Sequence, residues 1–159
     1  MAAFQFRLGR LSKVRSIHEE EARGLWSAAE AVAQNHREVA DYHADEIRRA
    51  RAHLAELQAQ GDVPVDQILT VETTIAAIIA KHKKAEERAK TSRFQADQQQ
   101  AAWQERKNEL RALERMEEKQ RAVFDQEVRK QEALEMDEVA TERAARKART
   151  RSPDDEDAS

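Results

Sequence analysis

Apolar and small residues recur every seven positions along this chain, and this spacing restricts its fold more than any other feature. In the first part of the chain one series comprises Phe4, Leu11, His18, Leu25, Val32 and Val39. An interleaved series comprises Leu8, Arg15, Ala22, Ala29, His36, His43, Ala50 and Leu57. After His43 the first series moves by one position, to Ile47 and Leu54, which predicts a local stutter. A seven-residue repeat kept over this many turns indicates a coiled coil.

The second part of the chain carries the same repeat. One series comprises Ile68, Ile75, His82, Ala89, Ala96, Trp103 and Leu110. Its companion comprises Val71, Ile78, Ala85, Ser92, Gln99, Arg106 and Leu113. Many of these positions hold alanine or a polar residue, and burying alanine removes little apolar surface from water. We therefore expect marginal stability, with the weakest packing near residues 89–99.

A single short segment, QGDVPVD at residues 60–66, interrupts the repeat. Gly61 can end a helix in the left-handed conformation, and Pro64 disfavours helix at the residue before it. Asp66 can cap the start of a following helix. We predict a first coiled-coil helix within residues 1–60, a turn at 61–65, a second coiled-coil helix at 66–150 and a disordered acidic tail at 151–159.

A short connection favours antiparallel neighbours. We therefore predict an all-α fold: a long two-helix antiparallel coiled-coil hairpin with an overhanging C-terminal helix. In such a hairpin Phe4 lies near Phe124 and Leu25 lies near Trp103. The alternative is a parallel homodimer with a kink at Pro64.

Composition and motifs argue against catalysis. The 159 residues include no cysteine and only 4% aromatics, 37% are charged, and the formal net charge is −3. No glycine-rich phosphate loop, nucleophile triad or Glu-x-x-His motif is present. We expect a protein that is not an enzyme, with no cofactor, metal site, small-molecule substrate or nucleic-acid partner. The absence of a long apolar run indicates a cytoplasmic location.

Residues 68–82, ILTVETTIAAIIAKH, form an apolar patch that is unusual in so polar a chain. The patch is wider than the two-in-seven seam of a coiled coil, because Leu69 and Ile79 stand beside the repeat positions. One interpretation is that the extra width anchors the hairpin near its turn. The other is that one edge of the patch meets a partner.

Three segments resemble the flagellar export protein family FliJ. The N-terminal FQFRL, followed by Leu11, Val14–Arg15 and EEEA at 19–22, is similar to the opening of that family. AAWQERKNELRALERM, at residues 101–116, is similar to its second helix. QEALEMDEVATERAARK, at residues 131–147, is the most specific match, with Met136, Asp137, Glu138 and Ala140 in the arrangement of the family.

The resemblance implies an antiparallel hairpin that acts as a stalk in flagellar type III protein export. The implied partners are the flagellar export ATPase ring, the export gate membrane protein and export chaperones, at the cytoplasmic face of the inner membrane. Gate binding would map to Val71, Ile75, Ile78 and His82. ATPase binding would map to Phe4, Arg7, Leu8, Arg10, Leu11 and Arg15.

Other functions remain open from the sequence. The chain is also compatible with a structural coiled-coil tether and with the stalk protein of an injectisome secretion system. The basic residues near the N-terminus equally suit a helix that lies on a membrane surface.

Overall fold

The computed structural model describes residues 3–149 and contains two helices in that range, α1 (Gly9–Ala59) and α2 (Val65–Arg149). They pack against each other as an all-α helical hairpin, which confirms the predicted fold class. The predicted acidic tail, residues 151–159, lies outside the described residues. By their contacts the described residues fall into two units, one of residues 13–110 and one of residues 3–12 with 111–149.

The connection between the helices is built around Gly61 and Pro64. Gly61 has a φ of 74°, a conformation that glycine adopts without the steric cost of a Cβ atom. The carbonyl of Pro64 accepts hydrogen bonds from the N–H groups of Gln67 and Ile68, so Pro64 occupies the cap position of α2. Asp66 therefore lies in the first turn of α2 and not at the predicted cap position. In the first turn its negative charge interacts favourably with the helix dipole.

Polar contacts show that α1 and α2 run antiparallel in the unit Lys13–Leu110. Arg15 pairs with Glu109 at 2.7 Å, and Arg93 pairs with Glu30 at 2.7 Å. Closer to the turn, Arg37 pairs with Glu86 at 3.4 Å. As the position on α1 advances, the position of its partner on α2 falls, which is the order that a hairpin requires.

The buried positions of α2 follow the predicted repeat. Ile75, Ala89 and Ala96 are buried from the first series, and Ala85 and Ser92 from its companion. Most of these side chains are short, so the helices approach closely but bury little apolar area. The buried residues of α2 within residues 89–99 are therefore Ala89, Ser92 and Ala96.

The repeat of α1 differs from the prediction at one of its two series. Leu25, Val32 and Val39 are exposed, and the buried positions lie one residue further along, at Ala33 and Ala40. The observed series, which contains Ala33 and Ala40, continues every seven residues in both directions. It includes the half-buried residues Glu19, Trp26, Ile47 and Leu54. The predicted stutter after His43 is therefore absent, because Ile47 and Leu54 continue the series of Ala33 and Ala40.

In the other unit Phe4 packs against the later part of α2. The rings of Phe4 and Phe124 lie 5.6 Å apart between centroids, which confirms the predicted contact. Arg121 lies over the Phe4 ring at 5.3 Å. Beyond Val128, every residue of α2 through Arg149 is exposed. No helix within residues 3–149 has a stretch long and apolar enough to cross a membrane.

Candidate functional site

The residues predicted to bind the export gate lie along the contact between the two helices. Ile75 is only 8% exposed, whereas Val71, Ile78 and His82 are half-buried. The histidine is fixed from α1, because Nδ1 of His82 lies 3.0 Å from the carbonyl oxygen of Ala40, which accepts a hydrogen bond from it. The four residues thus share one face of α2, and much of that face is used in the hairpin itself.

The exposed part of the apolar patch lies beside these residues. Leu69 is 53% exposed and Ile79 is 40% exposed, and Val65 at the start of α2 is also exposed. The broad patch seen in the sequence therefore divides into a buried edge, centred on Ile75, and a solvent-facing edge. The solvent-facing edge, defined here by Leu69 and Ile79, is available to a second molecule.

Five of the six residues predicted to bind the ATPase belong to the unit of residues 3–12 and 111–149. Phe4 and Leu8 are half-buried, and Arg7, Arg10 and Leu11 are exposed. Phe4 and Arg7 precede α1, because the helix begins at Gly9. The N–H of Gly9 donates to the carbonyl of Phe6, and this turn leads the segment into the helix. The two arginines are thus exposed next to an aromatic anchor.

Arg15, the sixth residue, belongs to the unit Lys13–Leu110 and is already engaged. Its Nη1 donates to Oε2 of Glu109 across the hairpin at 2.7 Å. Glu109 also accepts from Arg106 at 3.3 Å. Arg15 therefore contributes to pairing between the helices, and an external carboxylate would have to compete with Glu109.

A stacked tryptophan pair, which the sequence reasoning missed, packs within the same unit. The rings of Trp26 and Trp103 are 4.8 Å apart between centroids and inclined by 6°. Nε1 of Trp103 donates to Glu19 at 2.6 Å, and Nζ of Lys107 lies 4.6 Å from the centroid of the same ring. The sequence pattern predicted that Leu25 faces Trp103. In the structure the next residue, Trp26, faces it and Leu25 is exposed, just as Val32 and Val39 are exposed beside the buried Ala33 and Ala40.

Two carboxylates have pKa values lowered by cationic or hydrogen-bonding neighbours. The paired hydrogen bonds from Arg93 lower the pKa of Glu30, and the same contact raises the pKa of Arg93. The hydrogen bond from His43 lowers the pKa of Glu46, with smaller contributions from Tyr42 and Lys81. Both carboxylates are thus held in their charged form by contacts within the hairpin.

The described histidines and carboxylates do not assemble into a metal site. Within residues 3–149 no group of three or more His, Asp or Glu side chains is arranged to hold a metal ion. His43 is hydrogen-bonded to Glu46 at 2.7 Å, and His82 is bonded to the backbone of α1. His43 and His82 are thus both engaged in contacts within the hairpin.

Comparison with known proteins gives one match. The family model described as flagellar FliJ protein matches residues 4–149, which is nearly the whole chain. No curated protein and no solved structure matches this chain. The matched range includes the aromatic contact of Phe4, the turn at Gly61 and the exposed end of α2. The chain therefore belongs to the flagellar FliJ protein family, whose role lies in flagellar protein export.

Proposed function

We propose that this protein is a non-enzymatic stalk component of the flagellar export apparatus that couples the export ATPase ring to the export gate. The family match over residues 4–149 carries this proposal. The hairpin supports it, because its solvent-facing side chains form basic and apolar surfaces suited to binding. We further propose that the protein helps to transfer export chaperones at the cytoplasmic face of the inner membrane.

The contact with the ATPase ring is assigned to Phe4, Arg7, Leu8, Arg10 and Leu11. Phe4 is held by Phe124 and Arg121, so the segment that carries the two exposed arginines has an anchored start. Arginine binds carboxylates through two parallel hydrogen bonds, which suits an acidic surface on the ring. Arg15 adds to this contact only if Glu109 releases it.

A charge-reversal experiment tests this contact. Arg7→Glu with Arg10→Glu should abolish stimulation of ATP hydrolysis by the cognate export ATPase. Arg49→Glu with Arg51→Glu makes the same change in net charge at exposed positions of α1 and should leave the stimulation within about twofold, since screening weakens distant charges. If the parent protein and both double variants stimulate ATP hydrolysis equally, Arg7 and Arg10 are not part of the contact.

The contact with the export gate is assigned to the apolar patch. We propose that Val71, Ile78 and His82 present their exposed edges to the gate together with Leu69 and Ile79. Ile75 holds the patch in place from the buried side. Apolar side chains rimmed by exposed lysines, here Lys81 and Lys83, are a common form of a protein-binding surface.

A double and a single substitution separate binding to the gate from anchoring of the hairpin. Leu69→Asp with Ile79→Asp should weaken binding to the cytoplasmic domain of the gate protein at least tenfold while helicity stays unchanged. Ile75→Asp should instead lower the stability of the hairpin, because it buries a charge. Circular dichroism measures the helicity and stability of each variant, and a binding titration measures its affinity for the gate domain. Full gate binding by the first variant would show that the patch serves only the hairpin.

A further inference from the structure

A basic groove lies between the two helices within the unit Lys13–Leu110. Its volume is about 380 Å³, and its lining includes His36, Val39 and His43 from α1 and Lys81, Lys84 and Arg88 from α2. No aspartate or glutamate lines it. In a chain with net charge −3, a groove lined by cations without a carboxylate is a local exception.

The three cations follow one edge of α2. Positions 81, 84 and 88 are three and four residues apart, so their side chains lie above one another on the same face. At 1.5 Å per residue they extend over about 10 Å of helix. A row of this length matches carboxylates with the same spacing on a second helix.

Two of these cations are not used inside the hairpin. Lys81 acts on Glu46, whose pKa it helps to lower. Lys84 and Arg88 form no hydrogen bond or ion pair with another residue in the range 3–149. In another groove between the helices the cations are paired: Arg37 pairs with Glu86, which lines the same groove, and Arg93 pairs with Glu30.

The groove also offers apolar contact. Val39 is 43% exposed and lies between the two histidines in sequence, on the side of α1 that lines the groove. This valine had been placed in the hairpin seam by the sequence pattern, and the structure places Ala40 there instead. An apolar side chain next to unpaired cations suits an amphipathic ligand more than a free anion.

We propose that this basic groove is a docking site for an acidic amphipathic helix of a protein partner, with its carboxylates on Lys84 and Arg88 and an apolar side chain on Val39. Nucleic acid and an anionic bilayer fit less well. The row of cations extends over only about 10 Å, and the exposed Val39 beside it has no counterpart on a phosphate backbone. This inference does not rest on the assignments to the ATPase and the gate, although Lys81 borders both the groove and the gate patch.

The test uses a fluorescent helical peptide as its probe. The peptide has about 18 residues, or five turns, of alanine and leucine, with glutamates at i, i+3 and i+7 along one edge. A matched peptide carries glutamine in place of each glutamate. Binding of the whole protein is measured by fluorescence anisotropy at low salt, where charge pairs are least screened. We expect the glutamate peptide to bind and the glutamine peptide to bind at least tenfold more weakly.

Two charge-reversal variants locate the site. Lys84→Glu with Arg88→Glu should weaken binding of the glutamate peptide at least tenfold. Arg49→Glu with Arg51→Glu changes the net charge equally at exposed positions outside the groove and should alter the affinity less than threefold. Circular dichroism establishes that both variants keep the helicity of the parent protein.

Three results would overturn the inference. The first is that the glutamate peptide does not bind the parent protein, and the second is that both variants lose affinity for it equally. The third is that a DNA duplex or phosphatidylglycerol vesicles bind more tightly than the peptide and lose this binding when Lys84 and Arg88 are changed. The last result would identify a phosphate-binding surface instead.

Discussion

At the scale of single residues, the stacked pair of Trp26 and Trp103 places the two largest side chains of the chain against each other. Around them the buried residues are mostly alanine, which contributes little apolar area. The two rings, by contrast, supply a large contact, and Trp103 adds a hydrogen bond to Glu19. The stability of this unit therefore depends strongly on one aromatic contact.

Trp103→Ala should lower the free energy of unfolding by about 3 kcal/mol, because it removes the stack and leaves a cavity. Trp103→Phe keeps an aromatic ring but removes the N–H donor to Glu19, so its cost should be about half as large or less. Urea unfolding followed by circular dichroism measures both. A cost below about 0.5 kcal/mol for the alanine variant would contradict the role of the pair.

The contact between Glu30 and Arg93 predicts a pH dependence. The lowered pKa of Glu30 means that its ionised form is favoured in the folded state. Its contribution is therefore fully present well above the ordinary value of 4.5 and is lost as the pH falls through the lowered pKa. Arg93 stays charged throughout this range because its pKa is raised.

Glu30→Gln should accordingly reduce the loss of stability between pH 5 and pH 2. The measurement is the urea midpoint of the parent and the variant at several pH values, with Glu38→Gln as a control, since Glu38 is exposed and makes no pair across the hairpin. Identical pH profiles for parent and Glu30→Gln would contradict the prediction.

At the scale of elements, the backbone properties of a few residues set where α1 ends and where α2 begins. Gly61 accepts a positive φ, and Pro64 caps α2 without needing its missing N–H group. Gly24 has a different setting, because it lies inside α1, where a Cβ atom would meet no other side chain within 4 Å. The same residue type thus serves the connection at one site and weakens a helix at the other.

Substitution by alanine should have opposite effects at these two glycines. Gly61→Ala places a Cβ atom in the left-handed region and should destabilise the protein by roughly 1–2 kcal/mol. Gly24→Ala should stabilise it by about 0.5–1 kcal/mol, because alanine has the higher helix propensity. Thermal unfolding of both variants tests the pair. A stabilising Gly61→Ala would show that the positive φ is not required.

At the scale of the whole molecule, the hairpin is formed within one chain. The contacts of Arg15, Glu30 and Arg37 with α2 are all intramolecular. The chain has no cysteine, so nitroxide labels can be introduced at chosen sites. Gln34 and Lys90 line one groove from opposite helices and are both exposed.

Labels at Gln34→Cys and Lys90→Cys should give a distance of roughly 10–20 Å, since packed helices lie about 8–10 Å apart between axes. Dilution with an excess of unlabelled protein should leave this distance unchanged. Its disappearance on dilution would show that the helices pair between chains, as in the parallel dimer.

The sequence alone determined the number of helices, their connection and the buried face of α2. Periodicity and the Gly61–Pro64 segment carry this information because both act locally, through helix geometry and backbone sterics. The motifs near both ends of the chain also indicated the family, which the match over residues 4–149 confirmed.

Only the tertiary structure decided which neighbouring series of α1 faces α2. Val32 and Val39 are more apolar than Ala33 and Ala40, so the sequence pattern favoured them, but small side chains are the ones that let two helices approach closely. That one-residue difference places Trp26 against Trp103 and leaves Val39 in the basic groove. The choice depends on the fit between two surfaces, and the pattern on one helix contains no information about the shape of the other.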